Sequence, residues 1–163
     1  MDLWFGDETG IEATPRPYVV GALKGSKPTI PYVGDPGRQS VIGAVRPSDG
    51  YFFSRIVPIG NPDLFQGFLD ERNRRVRPDQ RNILILDNVS FHNAKRLHWG
   101  RLQPLYLPPD SPNWNPIEER WLSGKKTFFK HWIPQRESEL ENRTAAALNY
   151  FADNPSSSNP SAQ

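Results

Sequence analysis

Hydrophobic positions in this chain follow two rhythms, one of strands and one of helices. "LWFGDE" (3 to 8) is a short apolar run that ends in acids and reads as a buried strand. "RQSVIGAVRP" (38 to 47) and "YFFSRIVPIG" (51 to 60) are rich in β-branched and aromatic residues. The "SDG" between them predicts a hairpin. "NPDLFQGFLDERNRRV" (61 to 76) switches to helical spacing, with Leu64, Phe65, Phe68 and Leu69 on one face. Asn61 is placed to cap that helix and Pro62 suits its first position. "RNILILDN" then gives a continuous apolar run, as a strand covered on both faces requires.

A polar stretch containing His92 follows, with the pattern of a first helical turn or two. "LQPLYLPP" (102 to 109) is a brief strand. "DSPNWNPIEERWLSGKKTFFKHW" (110 to 132) is a loop and a helix, with Asn115 as cap, Pro116 at the first position and Glu118 and Glu119 in the first turn. Residues 137 to 152 form a last amphipathic helix. Residues 9 to 37 are rich in Gly, Pro and Thr and hold two candidate short strands, "YVVGAL" and "TIPYV". The order predicts an α/β domain over 1 to 152, its sheet antiparallel first and parallel afterwards. The remainder, 153 to 163, is low in complexity and is expected to lack fixed structure. There is no internal repeat.

Composition narrows the class. The chain has 163 residues, enough for one domain with a real core. It has no cysteine, which excludes disulfides and thiolate-bound zinc. No run resembles a signal peptide or approaches the ~20 apolar residues of a membrane span, so a soluble protein without a membrane partner is expected. The formal net charge is only +2, but "RNRRVRPDQR" (72 to 81) and "KKTFFKHW" (125 to 132) are local basic stretches. Each is either a solvated helix face or a surface for phosphates.

Three carboxylates occupy positions that invite chemistry. Asp7 ends the first strand, Asp87 ends the central one, and Glu118 opens a helix after a proline-rich loop. Ligands of open α/β sheets bind beyond strand termini. Acids gathered there repel unless a cation neutralises them, and hard oxygen donors suit Mg²⁺ or Mn²⁺. Two such ions about 4 Å apart can clamp a phosphoryl centre. Each residue also has a plainer reading. Asp7 and Asp87 can belong to turns, Glu118 can serve the helix dipole, and His92 can be a structural hydrogen-bonder.

"FGDETG", "LILDNVSFHNAK" and "LYLPPDSPNWNPIEERW" together resemble the catalytic domain of insertion-sequence transposases, in the mariner-related branch of the DDE superfamily. "ALKGSKP" resembles a further stretch of that family, and the likeness covers roughly residues 3 to 132. The resemblance implies an RNase H-like mixed sheet flanked by helices. It implies that Asp7, Asp87 and Glu118 are the catalytic acids and hold two Mg²⁺ or Mn²⁺ ions. Asn88 and His92 would then orient them from behind, and Lys125, Lys126 and Lys130 become candidate DNA contacts. The implied reaction is cleavage of double-stranded DNA at element ends, followed by attack of the freed 3′-OH on target DNA. The implied setting is the bacterial cytoplasm, at the nucleoid.

The chain departs from the family in two ways. The helix-turn-helix region expected before the first strand is not in these residues. The resemblance therefore implies a separately encoded helix-turn-helix subunit or a frameshift partner, and it allows a homodimer. The interval from Asp87 to Glu118 is also short for the family, around "RLHWGRLQP". Two other readings stand beside the catalytic one: a truncated, inactive remnant or DNA-binding module of the same fold, and an RNase H-like nuclease unrelated to transposition.

Overall fold

The computed structural model describes residues 1–12, 37–58, 61–89, 92, 95–108, 114–130, 132, 134 and 136–155. "YVVGAL", "TIPYV", "ALKGSKP" and the last residues, 156–163, lie outside these. The described elements, in chain order, are β1 (Asp2–Glu12), β2 (Arg38–Arg46), β3 (Tyr51–Val57), α1 (Pro62–Asn73), β4 (Asn82–Leu86), β5 (Leu102–Tyr106), α2 (Ile117–Phe128) and α3 (Glu137–Asp153).

The strands form one five-stranded sheet in the order β3-β2-β1-β4-β5. β1, β2 and β3 pair antiparallel, whereas β4 joins β1 and β5 joins β4 in parallel. This is the mixed sheet of an RNase H-like fold, antiparallel first and parallel afterwards. The hairpin turns where expected, with Gly50 at φ +71° after Asp49. That backbone region costs a side-chain-bearing residue about 1 kcal/mol or more.

Side-chain alternation divides the core in two. On one face Trp4, Ile42, Ala44, Phe53, Leu84 and Leu86 pack under Phe65, Phe68 and Leu69 of α1. On the other, Ile11, Val41, Val45 and Phe52 pack under Ile117 and Trp121 of α2 and Leu140, Leu148 and Phe151 of α3. α1 is capped as its sequence suggests: Asn61 Oδ1 accepts from the backbone N–H groups of Asp63 and Leu64 at 3.0 and 2.9 Å. The basic run after it is only partly a solvated face. Arg72 is 2% exposed, its guanidinium 3.5 Å from the Trp4 ring, and Arg77 pairs with Asp2.

Two expectations change. β1 runs four residues beyond "LWFGDE", because Thr9 and Ile11 also face inward and the strand keeps pairing as far as Glu12↔Arg38. Among the described residues between β4 and β5 there is no helix. His92 sits instead in a turn, its N–H donating to the Val89 carbonyl at 3.1 Å. The loop leading into β5, in "RLHWGRLQP", is held by two side chains of α1. Gln66 donates to the His98 carbonyl and accepts its N–H, at 3.0 and 2.8 Å. Asn73 donates to the Trp99 carbonyl and accepts the Arg101 N–H, also at 3.0 and 2.8 Å. These bonds satisfy backbone groups that neither a helix nor a strand ladder pairs.

Candidate active site

Strand register brings the first two acids together. Phe5↔Ile85 is the last pair of the parallel β1–β4 ladder; Asp7 lies two residues further on β1, and Asp87 lies just past the end of β4, close enough for its charge to act on Asp7. Strands lie about 4.8 Å apart. Asp7 shares the parity of Phe5 and Ile11, the residues facing α2, and Asp87 shares that of Ile85. Glu8 falls on the opposite face, which separates the roles of the adjacent acids in "DE".

The third acid arrives with α2. Asn115, 4% exposed, donates from Nδ2 to the Gly6 carbonyl at 3.2 Å and accepts the Ile117 N–H at 3.4 Å. It therefore pins the start of the helix to the strand residue before Asp7. Here the structure corrects the capping scheme by one position: α2 begins at Ile117, Pro116 occupies the cap, and half of the Asn115 amide is spent on the sheet. Glu118 and Glu119 are exposed in the first turn, as expected. They point about 100° apart around the helix.

Asp7 is 8% exposed. Its pKa is pushed up from 3.8 to about 7, first by burial and next by the charge of Glu118. The Glu8 backbone N–H opposes this, Asp87 adds to it, and the Trp121 indole opposes it. The charges of Glu118 and Asp87 thus both reach Asp7. Among the described residues no three His, Cys, Asp or Glu side chains close into one coordination sphere. Even so, Glu118 and Asp87 are near enough for their charges to act on Asp7. The donor set nevertheless fits a hard divalent cation. It consists of carboxylate oxygens, and a cation would return Asp7 to its ionised form.

His92 lies behind Asp87. It is 1% exposed, its ring 4.5 Å from that of Phe65. Nδ1 lies 2.8 Å from Asp87 Oδ1 and 3.3 Å from the Asp87 carbonyl oxygen. The directional hydrogen bond goes to the carbonyl, and the carboxylate contact is one of proximity. Tyr106 donates its hydroxyl to the His92 carbonyl at 3.0 Å. Asn88 is exposed just past Asp87. Lys126 and Lys130 are exposed and Lys125 is half-buried at the far end of α2, so they stand apart from the acids.

Two residues at the site escaped the sequence reading. Trp121, on α2, donates its indole N–H to Asp7 Oδ2 at 3.1 Å. Gly43, directly across the ladder from Asp7, is where that indole rests: a Cβ there would lie 2.7 Å from its Cη2.

Residues 2–141 match the family described as DDE superfamily endonuclease. The chain belongs to that family. Among curated proteins, this DDE-family chain is 28% identical over 116 residues to the uncharacterized protein y4pE/y4sA of Sinorhizobium fredii, covering 71% of this chain and 86% of that one. Among solved structures, it resembles the mariner Mos1 paired-end complex with Mg at a TM-score of 0.67 and 20% identity, over 93% of this chain and 48% of that one. It resembles the catalytic core domain of BIV integrase at 0.54 and 14%, over 90% and 80%. The chain spans about half the length of the Mos1 chains it matches. At these identities the likeness to solved structures is one of fold. Among the described residues no helix is long and apolar enough to cross a membrane.

Proposed function

We propose that this chain carries the catalytic centre of a DNA transposase. Asp7, Asp87 and Glu118 would hold two Mg²⁺ or Mn²⁺ ions against the scissile phosphate of double-stranded DNA. The observation that carries the reading is the placing of Asp7, buried on β1 with the start of α2 pinned beside it by Asn115 and with Glu118 and Asp87 near enough to disfavour its charge. A cluster of acids that disfavours its own ionisation is costly to keep unless function uses it. When bound, the ions would supply Lewis-acid polarisation of the phosphate and a water of lowered pKa.

The chain's own residues prepare that chemistry. Asp7 is carried by β1 and Asp87 follows the end of the adjacent β4, so the paired strands bring them to one end of the β1–β4 ladder. Glu118 comes from a helix whose start Asn115 fixes to the same sheet. It is more exposed than Asp7 and is free to close on a bound cation. His92 steadies Asp87 from the interior side, and Asn88 stands beside it. Lys125 lies seven residues beyond Glu118, two helical turns along nearly the same face and roughly 10 Å away. That distance suits a phosphate one or two nucleotides from the cleaved one, with Lys126 and Lys130 continuing the path.

The same centre would then let a freed 3′-OH attack target DNA. Recognition of element ends is assigned to a separately encoded helix-turn-helix subunit or a frameshift partner, in an assembly that accommodates a homodimer. The family membership and the fold shared with Mos1, one of whose structures is a strand transfer complex, support this reading. The test is nicking of supercoiled plasmid in Mn²⁺, by the chain alone and fused to any upstream frame. Nicking that Asp87→Ala abolishes, with the fold unchanged by circular dichroism, supports it. An Asp87→Ala variant that nicks at the wild-type rate overturns it. A folded wild type inactive in both forms favours the remnant.

A further inference from the structure

The first acid is held by a device that joins three elements. Asp7 on β1 accepts the Trp121 indole N–H through Oδ2 at 3.1 Å. Trp121 is 6% exposed and lies edge-on to Phe52, ring centroids 5.6 Å apart. Its six-membered ring rests on Gly43 of β2, the residue paired with Asp7. A Cβ at Gly43 would come within 2.7 Å of Cη2, 2.8 Å of Cζ2 and 3.3 Å of the Ile117 Cδ1. The first two distances are impossible contacts, so any side chain there must displace the Trp121 indole or the helix that carries it. Gly43 thereby sets the depth at which α2 docks, and with it the reach of both Trp121 and Glu118, three residues apart on the helix. A glycine inside a strand marks such a close approach.

We propose that Trp121 is a positioning residue for metal binding. Through Oδ2 its N–H, together with the Glu8 backbone N–H, fixes the rotation of the Asp7 carboxylate toward a divalent cation shared with Asp87 and Glu118. Gly43 is the notch that admits the indole. This rests on the metal-dependent reading of the site. Partners that orient a ligating carboxylate from behind typically change metal affinity 10- to 100-fold when lost. A group acting only by packing would leave that affinity alone.

The test uses the ¹⁵N-labelled chain, whose five tryptophans give five indole N–H signals. On titration with Mg²⁺, one indole signal should shift in step with the thermal stabilisation by the metal. That signal should be missing from Trp121→Phe and indifferent to Mg²⁺ in Asp7→Asn. Trp121→Phe keeps an aromatic side chain between α2 and the sheet beside Phe52, so its fold should survive. Its half-saturating Mg²⁺, read from thermal stabilisation, should rise about tenfold. Nicking should need correspondingly more Mn²⁺ but regain its maximal rate within about twofold. Gly43→Ala should show the same weakened binding. An unchanged half-saturation in Trp121→Phe, or a wild type that binds Mg²⁺ with no indole signal moving, overturns the proposal while leaving the metal site standing. A folded wild type that Mg²⁺ neither stabilises nor shifts overturns both. If Trp121→Phe does not fold, Gly43→Ala decides the question, and an unchanged half-saturating Mg²⁺ there overturns the proposal.

Discussion

Replacing Asp7 by Asn should make the metal-free protein more stable, and only above a certain pH. The carboxyl is held at about 7 in the folded chain against an ordinary 3.8. A group whose folded pKa is raised contributes most below its unfolded pKa, where it is protonated in both states. That contribution is lost as pH rises from about 4 to about 7, and above 7 the folded chain bears the full cost of a buried charge. Three units correspond to about 4 kcal/mol at most. Asn keeps an oxygen for the Trp121 indole, but it accepts more weakly than a carboxylate from that donor and from the Glu8 N–H. A net gain of about 2–3 kcal/mol at pH 8 is expected. For a chain of this size that raises Tm by roughly 4–12 °C. Urea unfolding at pH 8 and pH 4.5 measures it: the gain should be present at the first and nearly absent at the second. Saturating Mg²⁺ should stabilise the wild type and not the variant. An Asn variant less stable than wild type by the same amount at both pH values would refute the reasoning.

Other substitutions separate holding the site from holding the fold. Asn115→Ala removes the bond from α2 to the Gly6 carbonyl and should cost about 1–3 kcal/mol in urea unfolding, with a fall in nicking beyond that explained by unfolded protein. Arg120, 1% exposed, donates to the carbonyls of Phe151, Gly50 and Pro155 at 3.3, 2.9 and 2.7 Å. Arg120→Met should therefore destabilise by about 2–4 kcal/mol while leaving the Mg²⁺ half-saturation of the folded fraction unchanged. Lys125→Gln, Lys126→Gln and Lys130→Gln combined should weaken binding to unrelated DNA duplexes and reduce the slope of log affinity against log salt by about 2–3 in filter-binding assays; an unchanged slope would remove these residues from the DNA path.

Local physics made most of the fold legible. The Asn61 cap, the Asp49–Gly50 turn and the apolar run ending at Asp87 each declare their element within a few residues, and parity along β1 and β4 turns Asp7 and Asp87 to one face. Strand length was harder. Gly10 looks like a terminator, yet β1 passes through it, because pairing to Ser40 and the inward Thr9 and Ile11 outweigh one poor strand former. The turn at His92 was misleading for a similar reason: helical spacing is cheap over a few residues, and what holds the loop is Gln66 and Asn73, far away in sequence. The Trp121–Asp7 bond joins positions 114 residues apart and needs Gly43 on a third element. No local rule pairs them. The available signal was a glycine inside "VIGAV" and a tryptophan three residues after Glu118.

Crystals grown with Mn²⁺ and measured for its anomalous scattering test the central claim most directly. One or two peaks should lie between the carboxylates of Asp7, Asp87 and Glu118, with Glu118 drawn in toward the strands. Ordered Mn²⁺ elsewhere on the chain, with these three carboxylates still apart, would contradict it.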